Sequence, residues 1–229
     1  MPMKKREEFS GLKWETHCHS VYSNRRRRWF DALNTPREMI ESAIRRGLDG
    51  MIITDHDTVK GGLAGKKIAR DHNGLHVIPG AEVSSMAGHI LAIGIEENVA
   101  KGLSLEETVD RIHDLGGIAV ASHPFSSRVK PSLGEESLKT DGVEVFNAMN
   151  RVYDNSKALA LARSHMRAST AGSDAHWAQA IGNAGIICDD PLEDIVKGRT
   201  TLFGSYTSML DVQVFHFRQL VSVLANRRM

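Results

Sequence analysis

Cysteine is almost missing from this chain: Cys18 and Cys188 are the only two among 229 residues. Two thiols cannot build the multi-bridge framework of a small secreted fold, and they suit a reducing, cytoplasmic setting. A dominant charge is missing too. Basic residues number 29 and acidic ones 28, a formal net charge of +1, so no global field recruits nucleic acid or a membrane surface. No apolar run approaches the ~20 residues that cross a bilayer. The opening Met1-Pro2-Met3-Lys4-Lys5-Arg6-Glu7-Glu8 has the charge of a leader peptide without the apolar stretch behind it. Repeats, low-complexity tracts and linkers are absent, so residues 1–229 read as one domain. Its apolar content of 41% and charged content of 25% fit a globular core under a solvated surface.

What is present is an alternation of strand-like and helical stretches, the pattern of an α/β domain. Strands are expected at Leu12–His17, Gly50–Thr54, His76–Pro79, Gly88–Ile93, Ile118–Ser122, Gly142–Phe146, Ser169–Gly172, Gly185–Ile187 and Thr201–Gly204. Thr35-Pro36-Arg37-Glu38 opens a helix, with a capping threonine and proline at the first helical position. Ser104-Leu105-Glu106-Glu107 opens another, with a capping-box glutamate, and Gly116-Gly117 ends it. Further helices are expected at Asn155–Met166, at Pro191–Lys197 and at the C-terminus, Val212–Asn226. Such alternation suits a barrel or a doubly wound sheet, and in both the sites form at the carboxyl ends of strands. One insertion, residues 24–30 with Arg25-Arg26-Arg27-Arg28-Trp29, interrupts the pattern.

Six histidines and two carboxylates stand at or near the ends of these strand-like runs: His17 and His19, His56, Glu82, His89, His123, and Asp174 with His176. Imidazole and carboxylate bind zinc, manganese and iron at neutral pH. His17 and His19 are two apart on a strand, so both point to one face while Cys18 points to the other. Taken alone, such a pair is a surface feature; among so many companions it is a ligand pair. Asp55 and Asp57 around His56 either orient an imidazole or serve turn and cap chemistry before Thr58 and Gly61-Gly62. Glu82 is a carboxylate able to bridge two ions, which imidazole is not. His72, His76, His113, His165 and His216 lack companions and read as surface or packing residues, and Cys18 as a small core residue.

In order, His-x-His, Thr-Asp-His-Asp, Gly-x-Glu, His-Ile-Leu, His-Pro and Gly-Ser-Asp-x-His resemble the polymerase and histidinol phosphatase (PHP) family of metal-dependent phosphoesterases, from about Trp14 to His176. The resemblance implies a distorted (β/α)7 TIM-like barrel with two to three divalent ions (Zn, Mn or Fe) at its carboxyl face. It implies hydrolysis of phosphomonoesters or nucleotide phosphodiesters, with nuclease action on RNA or DNA ends as the alternative. By position, His17, His19, Glu82 and Asp174 would hold the first ion, and Glu82, His89 and His123 the second. His56 and His176 would hold a third with one more acid. That acid is due shortly after the first histidine pair, where this chain has Ser23-Asn24. Either Asn24 stands in its place, or Asp31, five residues before Pro36, supplies it beyond the insertion. Asp31 is preferred because an anionic oxygen binds a cation better than an amide. Glu82, His56 and His176 are the expected catalytic groups. Arg25, Arg26, Arg27, Arg28 and Trp29, together with Asn147, Asn150 and Arg151, are the candidates for substrate contact; Lys60 and Arg128 are weaker ones. A non-catalytic RNA- or protein-binding subunit would show broken ligand sets, and an amidohydrolase a bridging lysine; neither is found. The expected partner is a phosphorylated small molecule, a nucleotide or a nucleic-acid end.

Overall fold

The computed structural model describes residues 11–23, 30–71 and 74–226. Asn24 to Trp29, which hold the arginine-tryptophan motif, and His72 lie outside the described residues. In chain order the elements are β1 (Leu12–Cys18), α1 (Pro36–Arg45), β2 (Gly50–Ile53), α2 (Lys60–Ala69), β3 (His76–Ser84), β4 (His89–Ile93), α3 (Leu105–Asp114) and β5 (Ile118–Ala121). There follow β6 (Gly142–Asn147), α4 (Val152–Ser164), β7 (Ser169–Gly172), β8 (Ala184–Cys188), α5 (Pro191–Val196), β9 (Thr201–Gly204) and α6 (Met209–Asn226). Among the described residues no helix is long and apolar enough to cross a membrane.

The strands form one sheet in the order β7-β6-β5-β4-β3-β2-β1-β8-β9. It curls nearly into a barrel: past the ends of β1 and β7, Asp174 N donates to His17 O (2.8 Å) and His19 N to Ala175 O (2.9 Å). Thr16 Oγ1 adds a bond to Ala171 O at 2.7 Å. The barrel is distorted in a definite way. β1–β2–β3 and β5–β6–β7 pair in parallel, but β4 runs antiparallel between β3 and β5, β8 runs antiparallel to β1, and β9 antiparallel to β8. β3 is therefore longer than expected. It pairs with β2 only as far as Pro79, then continues through Glu82 to Ser84 against β4. Glu82 sits inside a strand and not after one.

Alternate residues of each strand sort into different cores, as a period of two requires. Met51 and Ile53 of β2 pack with Met39 and Ile40 of α1, while Ile52 packs with Trp14, Leu91, Val120 and Ile186. Ile90 and Ala92 of β4 join Val109 and Ile112 of α3. The two expected capping boxes are formed: Thr35 with Glu38, and Ser104 with Glu107. α2 was not expected, and α6 begins at Met209 because Ser208 Oγ accepts from Asp211 N at 3.1 Å. α4 begins at Val152 and not at Asn155, whose amide is instead an anchor to Asn147.

Candidate metal centre

Every strand-end segment delivers its side chain to the carboxyl face. β1 presents His17 and, one residue beyond its end, His19; the turn after β2 presents His56; the turn after β5 presents His123; the turn after β7 presents Asp174 and His176. Because β4 is antiparallel, its first residue, His89, lies at the same face, directly opposite Ser84 of β3. Two of these residues sit in the left-handed backbone region: His123 has φ 29° and Asp174 φ 53°. Each such conformation costs about 1–3 kcal/mol and persists where surrounding contacts hold it, commonly at functional sites.

Glu82 is the hub. Its Oε1 lies 2.9 Å from both His89 Nδ1 and His123 Nε2, and it accepts from Ser122 Oγ at 2.8 Å. Its Oε2 lies 3.0 Å from His56 Nδ1 and 3.5 Å from His19 Nε2, and Oε1 is 3.7 Å from His17 Nε2. Asp174 Oδ1 is 3.5 Å from His17 Nε2 and 3.3 Å from His19 Nε2. Asp31 Oδ2 is 3.6 Å from both His56 Nε2 and His176 Nε2. Burial grades across the cluster. His17, His19, Glu82 and His123 form a closed floor, and His56, His89, His176 and Asp31 a half-buried rim.

The imidazole tautomers follow from their outer partners. His17 Nδ1 lies 2.9 Å from Glu144 Oε1, which only accepts, so the proton is on Nδ1. His176 Nδ1 likewise faces the carbonyl of Asp174 at 2.9 Å. Ser23 Oγ gives its proton to Asp55 Oδ1 at 2.9 Å, so His19 Nδ1, 3.2 Å away, donates to it. All three rings thus turn Nε2 toward the cluster, and His17 Nε2 and His19 Nε2 face each other at 3.1 Å. Two bare lone pairs at that distance repel unless a cation or a proton lies between them.

The charges of the side chains answer with a proton. Burial works against charge on His17, but Glu144, Asp174 and Glu82 outweigh it and hold its pKa well above the imidazole range. Burial, aided by His176, lowers His19 to about 3. For Glu82 burial acts upward, yet His89, His56 and His17 with the His123 hydrogen bond hold it well below the carboxylate range; Asp174 is depressed in the same way by His17, His19 and His176. The donor set therefore fits divalent cations: nitrogen and carboxylate ligands, oriented from outside, around positions that call for positive charge. Four sets of donor atoms lie mutually within 4.8 Å: His17–His19–Glu82, His17–His123–Asp174, His56–Glu82–His89, and His19–Asp31–His56–His176.

Residues outside the expected ligands complete the picture. Glu144 was not expected; besides His17 it accepts from His123 N at 2.8 Å and from Asn147 Nδ2 at 3.0 Å. Asp55 takes Ser20 N (2.6 Å) and Ser20 Oγ (2.8 Å) as well as Ser23, so it orients the His19 arm, whereas Asp57 accepts from Ser84 N at 2.7 Å in a turn. Asn147 departs from its expected substrate role. It is fully buried, and its amide donates to Glu144 and, at 3.2 Å, to Asp174 Oδ2, so it buttresses a ligand and does not face the open side. Asn150 bonds Asn155 Oδ1 at 3.3 Å, Arg151 is exposed at the start of α4, and Arg128 donates to Met149 O. Lys60 lines an open cleft of about 660 Å³ with Tyr22, His56, Thr58 and Lys101, beside the rim. His113, His165 and His216 bond Asp141, Leu161 O and Gln219 and stay outside the cluster, and Cys18 is buried with its thiol on Ile52 O.

Comparison with known proteins finds relatives of this chain and of its fold. A family model described as PHP-associated matches residues 152–198. An uncharacterized protein of Methanocaldococcus jannaschii, MJ1587, is 38% identical over 146 residues, 61% of this chain and 84% of that protein. The phosphoribosyl 1,2-cyclic phosphate 1,2-diphosphodiesterase of Eggerthella lenta is 30% identical over 106 residues, 43% of this chain and 37% of that enzyme. Among solved structures, a protein of Bifidobacterium adolescentis described as a metal-dependent phosphoesterase superposes with a TM-score of 0.64 at 20% identity. That match covers 86% of this chain and 98% of the other, and it bears on the fold.

Proposed function

The chain belongs to the PHP family, and on that footing we propose that it hydrolyses phosphoesters with divalent cations held by the histidine–carboxylate cluster. The observation that carries this reading is the pair of facing His17 and His19 Nε2 atoms, 3.1 Å apart beneath Glu82 and Asp174. His17, His19, Glu82 and Asp174 would hold one ion and Glu82, His89 and His123 a second. His56, His176 and Asp31 would hold a third. Zinc, manganese and iron all suit these donors. Bound there, such ions supply Lewis acidity toward phosphoryl oxygens and make water acidic enough to attack phosphorus near neutral pH.

The protein's own part is to fix these donors and to leave one side open. Glu144, Ser23 and the Asp174 carbonyl lock three imidazoles in one tautomer, so their Nε2 atoms need no reorganisation when charge arrives. The half-buried rim of His56, His89 and His176 is where a phosphate meets the floor. Where the third group carries no ion, His176 or His56 beside Asp31, once its ring is protonated on both nitrogens, would give the Nε2 proton to the leaving oxygen and keep the Nδ1 proton. The 660 Å³ cleft with Lys60 and Lys101 leads to this rim and suits an anionic substrate. A phosphorylated small molecule or a nucleotide is the favoured class, and the name of the E. lenta relative, a cyclic phosphodiesterase, supports it.

Elemental analysis of purified protein should find two to three divalent ions per chain. A panel of phosphomonoesters, cyclic and linear phosphodiesters and short oligonucleotides, assayed with manganese and with zinc, should then show turnover of the small esters. Glu82→Ala should remain folded while losing both ions and turnover. Less than one ion per chain, or a Glu82→Ala protein as active as the parent, would sink the reading.

A further inference from the structure

α6 is apolar on two faces. On the inner face Phe215, Gln219 and Val223 are buried against the body. Phe215 stacks on Trp177 with ring centres 4.6 Å apart, and Gln219 Nε2 donates to Phe30 O at 2.6 Å. The outer face carries Leu210, Val214, Phe217, Val221 and Leu224, each between 44% and 69% exposed. A helix that only roofs its own domain needs a single apolar stripe. Among the described residues nothing covers the second stripe.

Its spacing says what would cover it. The five side chains recur at intervals of four, three, four and three residues, the seam of a coiled coil, with valine at both a positions and leucine at two of the three d positions. A seam of that spacing is what one helix offers to another of its own kind. With Met209 and Leu220 at its flank, the stripe gathers seven apolar side chains that are each 44–69% exposed, a patch of the kind that marks an interaction site. The only charged side chains on the described helix, Asp211 and Arg218, flank the stripe one heptad apart. Two antiparallel copies would set each Asp211 against the other copy's Arg218. A membrane surface fits poorly, since interfacial helices carry a lysine- and arginine-rich polar face, and α6 has one arginine in its 18 described residues. The chain's own undescribed segments do not match either: residues 1–10 include Lys4, Lys5, Arg6, Glu7 and Glu8, and residues 24–29 four arginines.

We propose that two copies of this chain associate through the outer face of α6. The pairing has a consequence for the site. The inner face of the same helix holds the backbone at Phe30 and Asp31 through Gln219 and rests on the Trp177 ring next to His176. Two-fold contact thus steadies the arm that brings Asp31 to His56 and His176. The inference stands on α6 alone and is independent of the reaction proposed above.

Sedimentation velocity on the full chain, from low- to high-micromolar concentration, tests it. The parent protein should be a dimer. Phe217→Glu at the centre of the stripe, and separately Val214→Lys, which the Asp211–Arg218 pairing sets beside the two-fold axis, should raise the dissociation constant on the order of 100-fold or more. Both should keep the parent's far-ultraviolet circular dichroism. Met166→Glu, on an apolar side chain 94% exposed elsewhere, should leave the dimer intact. A parent that is monomeric throughout, a dimer unaffected by both α6 substitutions, or a monomer that instead co-sediments with anionic lipid vesicles would each overturn the proposal.

Discussion

Glu144 shows how much a metal centre depends on a residue that touches no metal. It is buried, and its two oxygens take His17 Nδ1, His123 N and Asn147 Nδ2. Glutamine has nearly the same shape but keeps only one acceptor oxygen and turns an NH₂ toward groups that themselves donate. Glu144→Gln should therefore loosen the His17 ring and weaken divalent-metal affinity by about 10–100-fold, the usual loss when an outer partner of a ligating histidine is removed. Chelator competition on the folded variant measures this; affinity equal to the parent's would show that Glu144 merely fills space. The sequence makes the ligands visible because histidines and acids at strand ends announce their chemistry by residue type. Glu144 was hidden because an orienting carboxylate obeys no spacing rule and here lies 127 residues from its imidazole. The available signal was local: an acid in mid-strand, in Gly142-Val143-Glu144-Val145-Phe146, where Val143 and Val145 mark one face as buried and Phe146 marks the face of Glu144. Asn147 was misread for the converse reason, since an amide at a strand's carboxyl end looks free until Glu144 and Asp174 are seen to occupy it.

Among elements, α2 is the instructive case. Gly61-Gly62 read as turn chemistry, and with Gly65 they place three glycines in Lys60–Ala69, although glycine in a helix costs about 1 kcal/mol relative to alanine. The structure gives each glycine a reason in packing. A Cβ on Gly61 would come within 1.8 Å of Asp55 Oδ2, on Gly62 within 2.7 Å of Pro79 Cα, and on Gly65 within 2.7 Å of the Ile53 Cδ1 methyl. The helix lies so close to β2 and β3 that side chains are excluded, a tertiary demand no local pattern shows. The consequences differ by position. Gly61→Ala gains ~1 kcal/mol of helix propensity but splits the Asp55–Ser20 clamp, and overpacking plus a broken buried bond cost several times that. A net destabilisation of about 2 kcal/mol is expected. Gly65→Ala meets only side-chain methyls, Ile53 Cδ1 at 2.7 Å and Val77 Cγ1 at 3.3 Å, which can give way, so gain and loss should nearly cancel. Urea unfolding of the two variants side by side decides it; equal stabilities would refute the close-packing account. By contrast, the starts of α1 and α3 were legible from Thr35–Glu38 and Ser104–Glu107, since a capping box is complete within four residues.

For the whole molecule, the alternation of strands and helices was enough to indicate a barrel or a doubly wound sheet, because each local period reports its own element; the resemblance to the PHP family, not the pattern, pointed to the barrel. The reversal of β4 was not legible, since strand direction is fixed by pairing with distant partners. That reversal is what brings His89 to the face where β1, β2, β5 and β7 end. The candidate ligands accordingly run from His17 to His176 and join the ends of five strands around Glu82 of β3, so whatever binds them ties the nearly closed sheet together. An ion that binds only the folded chain stabilises it by about 4 kcal/mol when its concentration is ~1,000 times its dissociation constant. For a chain of this size each kcal/mol moves the melting temperature by roughly 2–4 °C. Exhaustive dialysis against a chelator should therefore lower the melting temperature by roughly 8–16 °C. Returning manganese or zinc should restore it, and Glu82→Ala, already without its hub, should respond to neither treatment. A parent protein whose melting is unmoved by the chelator would mean that the cluster is held by its internal proton and hydrogen bonds, and that cations play no part in closing the barrel.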